Sequence, residues 1–224
     1  MKIVIIIANA LSECVQGIWD RIVIAFKGKK LAVLGERQVG KTTLIQFLTE
    51  GSIPTKYTQT VAPKPVSRKR FQLKDLQLSI KRGFDFGGST DSYGEWKKQC
   101  QEADLILYLL RADRLLAGDA TVEGRIRDDL KHIEGWLAEW RKKQKRPLPF
   151  FIIGTHCDLN NDFVVLTDDT VGAFHDKFRD LPIVRELVAR GGGLQLVKVV
   201  LGSMESIDAT QNLVYEIFKQ ASYE

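Results

Sequence analysis

Cysteine is scarce in this 224-residue chain: Cys14, Cys100 and Cys157 are an odd number, set far apart. That spacing gives no disulfide framework and suits a reducing compartment. Histidine is as sparse, and His132, His156 and His175 do not gather with the cysteines, so no metal-ligand cluster is visible. Repeats and low-complexity tracts are missing too. In the first 30 residues Asn9, Ser12, Glu13, Asp20 and Arg21 interrupt every window of about 20 residues, which excludes a clean transmembrane span. The charged second half of that segment argues against a secretory signal. One sign of charge does not dominate, since the formal net charge is only +5. Basic residues gather at Ser67–Arg70 and Arg141–Arg146 without interleaved aromatics, so nucleic acid is not an expected partner; an acidic lipid or acidic protein surface fits these runs better. With 44% hydrophobic and 27% charged residues the chain reads as one globular domain with a substantial core.

What is present is a phosphate cradle. Residues 35–42 read Gly-Glu-Arg-Gln-Val-Gly-Lys-Thr, directly after the apolar run Leu31-Ala32-Val33-Leu34. A strand that stops at Gly35 and a helix that starts near Lys41 leave a loop whose backbone N–H groups converge at the positive end of a helix. In this pattern Glu36, Arg37, Gln38, Val39, Gly40, Lys41, Thr42 and Thr43 surround the phosphates. The Lys41 ammonium reaches the terminal phosphates, and the Thr42 hydroxyl sits on magnesium.

A phosphate loop announces a nucleotide without saying which. Three later segments bear on that. Asp85-Phe86-Gly87-Gly88 ends an alternating stretch (Leu76, Leu78, Ile80 apolar) that reads as a strand; Asp85 there suits magnesium and the Gly88 N–H suits a γ phosphate. Thr155-His156-Cys157-Asp158 follows the apolar run Pro149–Gly154. The Asp158 carboxylate accepts two parallel hydrogen bonds, which matches the N1–H and N2–H₂ edge of guanine and repels the N1 acceptor of adenine. Gly202-Ser203-Met204 follows a third apolar run, where backbone amides meet the guanine O6.

In this order and spacing the motifs resemble the Ras-like small GTPases, over most of residues 31–220. Asp85-Phe86-Gly87-Gly88 with Trp96 soon after is similar to the Arf branch, whereas Thr155-His156-Cys157-Asp158 is similar to the Thr-His-x-Asp of Roc domains. The resemblance implies a P-loop NTPase fold: an α/β, doubly wound, mostly parallel six-stranded sheet with one antiparallel edge strand. It implies GTP and GDP as ligands, Mg²⁺ as cofactor, effector and regulator proteins as partners, and a homodimer as a further possibility. It places the γ-phosphate-sensing threonine at Thr60, with Thr58 a weaker candidate, so that Thr42, Thr60 and Asp85 form the metal set. His156 takes the place of the family's lysine, whose stem packs across the purine.

Two departures concern hydrolysis. The family's water-orienting glutamine would follow Gly88, where this chain has Ser89, too short for the task. Slow hydrolysis is expected, or a nucleotide-dependent scaffold that does not hydrolyse at all. Arg37 stands where Ras proteins carry glycine. Its guanidinium reads either as an internal arginine finger over the γ phosphate or as a solvated side chain on the loop rim. An ATP-using P-loop enzyme is the third reading, and Asp158 speaks against it.

The coarse pattern alternates strand and helix. Lys41–Glu50 reads as a helix stopped by Gly51, 68–73 and 76–84 as a β-hairpin, and Leu105–Leu110 as a buried strand. Val122, Ile126, Leu130, Ile133, Leu137 and Trp140 fall at helical spacing. Asp208 with Gln211 resembles a capping box for a last helix. The domain is expected to span 31–224, with an insertion at about 159–194 that holds an extra helical segment. In residues 1–30, Ile3, Ile7, Leu11, Cys14, Ile18, Ile22 and Ala25 share one helical face. Such a helix, with Lys27, Lys29 and Lys30 behind it, suits an anionic membrane surface or packing against its own domain or a partner. The expected location is cytoplasmic, with a peripheral place at the cytoplasmic membrane face as its extension.

Overall fold

The run Leu105-Ile106-Leu107-Tyr108-Leu109-Leu110 has no polar face to turn toward water, and all six residues are buried. In the computed structural model, which describes residues 30–54, 64–65, 84–85, 93–144, 148–164 and 168–222, this run lies inside a parallel sheet. The strands are β1 (Leu31–Gly35), β2 (Lys64–Pro65), β3 (Phe84–Asp85), β4 (Leu105–Arg111), β5 (Phe150–Thr155) and β6 (Val197–Leu201). Four of them form one sheet in the order β1-β4-β5-β6, each neighbour parallel. The antiparallel element is a separate two-stranded pair, β2 with β3, in which Pro65 faces Phe84. The sequence leads to one six-stranded sheet; the described residues give four strands plus two. The rest of the expected hairpin, 68–73 and 76–83, lies outside them.

Successive side chains of a strand point to opposite faces, so the unbroken apolar strands feed two cores. Ile106, Tyr108, Leu110, Phe150 and Ile152 join one buried cluster. Leu107, Leu109, Phe151 and Ile153 join the other. On the second face lie α1 (Lys41–Glu50), through Leu44, Phe47 and Leu48, and the last helix α8 (Ile207–Ser222), through Leu213, Val214, Ile217 and Phe218. The first face is covered by α2 (Tyr93–Glu102), α3 (Ala112–Leu116), α4 (Ala120–Gln144), α6 (Asp168–Arg179) and α7 (Pro182–Gly191). The short α5 (Asn161–Val164), α6 and α7 occupy most of 159–194. In α4 Val122, Ile126, Leu130, Ile133, Leu137 and Trp140 are buried together with Trp136, so its tryptophans are core residues. Truncating such a site, as in Leu130→Ala, costs about 2–5 kcal/mol.

Helix ends follow local chemistry. Gly51 stops α1 in the left-handed region, φ 67°, where it donates its N–H to the Phe47 carbonyl at 2.9 Å. The last helix begins two residues earlier than the Asp208 capping-box reading places it. Ser206 is the cap, its Oγ accepting from the Ala209 N–H at 3.2 Å, and Asp208 lies in the first turn beside the positive helix end.

Candidate functional site

Parallel strands share one carboxyl edge, and loops leaving that edge meet there. β1 delivers residues 36–40, β4 delivers Arg111, β5 delivers Thr155–Asp158 and β6 delivers Gly202–Met204.

The loop after β1 is held by its glycines. Gly35 has φ 137°, and a Cβ there would stand 2.2 Å from the Leu109 carbonyl oxygen, so only glycine lets the chain leave the sheet against β4. Gly40 turns into α1 at φ 88°. Between them Val39 is fully buried, while Arg37 and Gln38 are exposed. Among the described residues the only non-glycine side chains at positive φ are Gln38 (64°) and His156 (59°), one in each arm of the site. Such conformations cost about 1–3 kcal/mol and cluster where function imposes them.

Lys41 is buried and folds back into the loop, its Nζ donating to the carbonyls of Gly35 at 2.9 Å and Glu36 at 2.5 Å. Thr42 is exposed at the head of α1 and Thr43 half-buried. Burial pushes the Glu36 carboxyl above its usual range, against the opposing pull of Arg114, Arg125 and Lys41.

The β5 arm grips this loop. Thr155, fully buried, places Oγ1 3.0 Å from the carbonyls of both Val39 and Leu110, and 2.9 Å from His156 Nδ1. One hydroxyl has one proton. The network is satisfied when neutral His156 carries its proton on Nδ1 and donates to Thr155, which donates onward to a carbonyl. Burial and the Arg111 charge lower the His156 pKa, opposed by Asp113 and Asp158, which favours that neutral ring. The Asp158 N–H donates to Ser203 Oγ at 2.7 Å, and the Gly202 N–H to the Gly154 carbonyl at 3.0 Å. Met204 then closes the circle, because a Cβ on Gly40 would meet its Cε at 2.3 Å. The Asp158 carboxylate is half-buried and makes no hydrogen bond among the described residues.

The structure thus gathers Glu36–Thr43, Thr155–Asp158 and Ser203–Met204 at one edge. Asp85 lies in β3, its backbone paired with Lys64. Thr58, Thr60, Gly88 and Ser89 lie outside the described residues, as do the helix expected in 1–26 and the basic run at 67–70. Sequence reasoning passed over Arg111 and Asp113. They form a two-bond pair, Nε–Oδ1 2.7 Å and Nη2–Oδ2 2.5 Å, whose charges act on His156. The signal was two charges immediately after the buried run of β4. Asp129 was passed over as well, though it interrupts the apolar stripe of α4 between Ile126 and Leu130.

The donor chemistry fits magnesium. That ion is usually held by one or two carboxylates plus substrate phosphates, with waters completing the shell. An exposed Thr42 hydroxyl at the head of α1 is a donor of that kind.

Comparison with known proteins agrees with this geometry. The model of the family described as "Ras of Complex, Roc, domain of DAPkinase" matches residues 30–158, from the start of β1 through Asp158. The GTP-binding protein rho2 of Schizosaccharomyces pombe is 27% identical over 141 residues, which are 62% of this chain and 62% of that protein, so the match spans less than two thirds of its length. The chain also resembles the crystal structure of an ADP ribosylation factor-like GTP binding protein, the small COPII coat GTPase SAR1 from Encephalitozoon cuniculi, in complex with GDP. That likeness covers 99% of this chain and 92% of the other, with TM-score 0.55 and 16% identity, and concerns the fold. A phosphate loop, a Thr-His-Cys-Asp arm bonded to it and a family match that runs through both make this chain a member of the Roc family of Ras-like small GTPases.

Proposed function

We propose that the protein is a GTP-binding switch that hydrolyses GTP slowly to GDP and phosphate. The observation that carries this reading is the bond from Thr155 to Val39, which fixes the segment bearing Asp158 against the segment bearing Lys41. Two ends of one ligand are thereby addressed from one edge of the sheet.

In this reading Lys41 leaves the loop carbonyls and neutralises the terminal phosphates together with the amides of residues 36–43. Asp158 accepts from the guanine edge, the Ser203–Met204 backbone faces O6, and the neutral His156 ring lies along the purine. Thr42, Thr60 and Asp85 would hold Mg²⁺, which when bound offsets charge on the β and γ phosphates. Water attacks the γ phosphorus; its oxygen bonds to phosphorus, the bond to the β-phosphate oxygen breaks, and the water proton leaves with phosphate. Gly88 and Ser89 stand three and four residues after Asp85, and Ser89 has no amide to orient that water, hence the slow rate. Effectors and regulators would read the loops around Thr60 and Gly88, ordered by the γ phosphate.

Calorimetry with GDP and ADP in the presence of magnesium tests the assignment. The expected result is binding of GDP, weak or no binding of ADP, and loss of the difference in Asp158→Ala; equal binding of both by the unaltered chain refutes it. Ser89 also supports a second reading, a scaffold that binds GTP without hydrolysing it. Single-turnover assays separate the two, since absence of phosphate release even with cell lysate added favours the scaffold. In the same proposal the protein works in the cytoplasm, with residues 1–26 meeting the cytoplasmic face of a membrane. Liposome sedimentation with and without that segment tests this, and equal pelleting of both forms counts against it.

A further inference from the structure

Behind the phosphate loop lies a carboxylate that the proposed chemistry does not use. Asp129 on α4 is fully buried, and it is held from three directions. Tyr93 Oη donates to Oδ1 at 2.7 Å, Tyr108 Oη to Oδ2 at 2.9 Å, and Arg125 Nε to Oδ1 at 2.8 Å. Three elements therefore meet on one side chain: the first residue of α2, the middle of β4 and the preceding turn of α4. A buried charge persists only where such partners hold it.

Tyr93 is gripped beyond its hydroxyl. Its ring lies 4.1 Å from the His132 ring and edge-on to Trp96 at 5.6 Å, with Trp136 at 6.3 Å and the Arg125 guanidinium 5.5 Å over its centre. Tyr93 is also the first described residue after Asp85, and it lies in α2.

Arg125 Nη2 and Glu36 Oε1 are two of the four buried side-chain atoms that lack a hydrogen-bond partner among the described residues. They carry opposite charge and each supplies what the other lacks. The Arg125 charge already acts on Glu36, which belongs to the phosphate loop. An unsatisfied donor and an unsatisfied acceptor of this kind are expensive to keep apart. Because Arg125 also holds Asp129, a change in how it meets Glu36 would act on the carboxylate that holds Tyr93.

We propose that Asp129 and Arg125 are positioning residues that couple Glu36 of the phosphate loop to Tyr93 at the start of α2, so that the protein distinguishes GTP from GDP through this buried network. The inference rests on the GTP-switch reading. The chain runs from Glu36 to Arg125 through charge, and from Arg125 to Asp129 to Tyr93 through hydrogen bonds. The nucleotide meets it at Glu36, whose backbone carbonyl accepts from Lys41.

The test uses the full chain and fluorescent GDP and a non-hydrolysable GTP analogue, with magnesium, read as the ratio of the two dissociation constants. Tyr93→Phe and Glu36→Gln each change that ratio about fivefold or more, and the double variant changes it no further than the larger single one. Cys100→Ala, a buried change two turns along α2 at a residue with no hydrogen bond to Asp129, Arg125 or Tyr93, lowers the melting temperature and leaves the ratio within about twofold. A second readout is tryptophan emission, because Trp96 and Trp136 flank Tyr93: exchanging GDP for the analogue shifts it in the wild type and shifts it less in Tyr93→Phe. A ratio unchanged in Tyr93→Phe, or single effects that multiply in the double variant, overturns the inference. If the unaltered chain binds neither nucleotide, it is the GTP reading beneath that fails, and the network then has no ligand to sense.

Discussion

Thr155 and Val39, from opposite halves of the sequence, stand in direct contact, with the threonine Oγ1 3.0 Å from the valine carbonyl. Val39 is the one fully buried side chain between the two glycines of its loop, and Thr155 is the last residue of β5. The Thr155–Asp158 arm and the loop after β1 are consequently tied to each other by a direct bond.

Thr155→Val keeps the volume and removes the hydroxyl. The carbonyls of Val39 and Leu110 then compete for no donor in a dry site, at a cost of about 1–3 kcal/mol. Thr155→Ser retains the hydroxyl and should lie much closer to the wild type. Urea unfolding of the two variants measures the difference, and equal stabilities would show the bond to be incidental. GDP affinity should fall in the same order.

The two loop glycines are expected to differ in what they tolerate. At Gly40 an added Cβ meets the tip of Met204, a flexible side chain that can withdraw, so Gly40→Ala costs chiefly the left-handed backbone, about 1–2 kcal/mol. At Gly35 the obstacle is the Leu109 carbonyl, part of an inner strand of the sheet. Gly35→Ala should therefore be clearly the more destabilising. Thermal melts of the two proteins suffice, and the reverse order would contradict this account of the loop.

Much of this was legible in the sequence because the residues concerned repeat a pattern or fill a motif. The unbroken apolar runs at 105–110 and 150–153 read as buried strands, and the three- and four-residue spacing from Val122 to Trp140 as a helix with one face on the core. The phosphate loop and Thr155–Asp158 carried their own chemistry. What could not be read is contact between distant segments. Nothing at position 129 says that two tyrosines from other elements will reach it. Nothing at Met204 says that it will lie on Gly40. The cap of the last helix was misplaced by two residues because Ser206 and Asp208 are both good capping types, and only the backbone decides between them.

Glu36 gives the stability a pH dependence of defined sign. Burial raises its pKa above the ordinary glutamate value of 4.5, so the folded chain holds this proton more tightly than the unfolded one. Stability from this group is then complete below 4.5 and is lost as pH rises through the folded-state value. Glu36→Gln removes the loss. The variant should gain on the wild type between acid and neutral pH in urea titrations, with a residual slope from Asp129, whose carboxyl burial also raises. A variant that instead falls further behind as pH rises would mean that Glu36 is stabilised as an anion.

Arg37 decides how far the loop itself contributes to hydrolysis. Its side chain is exposed and makes no ion pair among the described residues, and nothing in the loop draws it back across Lys41. Loop side chains of this kind point to water. Arg37→Ala should leave single-turnover GTP hydrolysis within about twofold of the wild type, far from the 10³-fold or more that an arginine finger supplies. A fall of that larger size, with GDP affinity unchanged, would mean that the guanidinium swings onto the γ phosphate and replaces the charge stabilisation that Ser89 cannot give. With no such fall, acceleration has to come from a partner protein, and adding lysate to the same assay would reveal it.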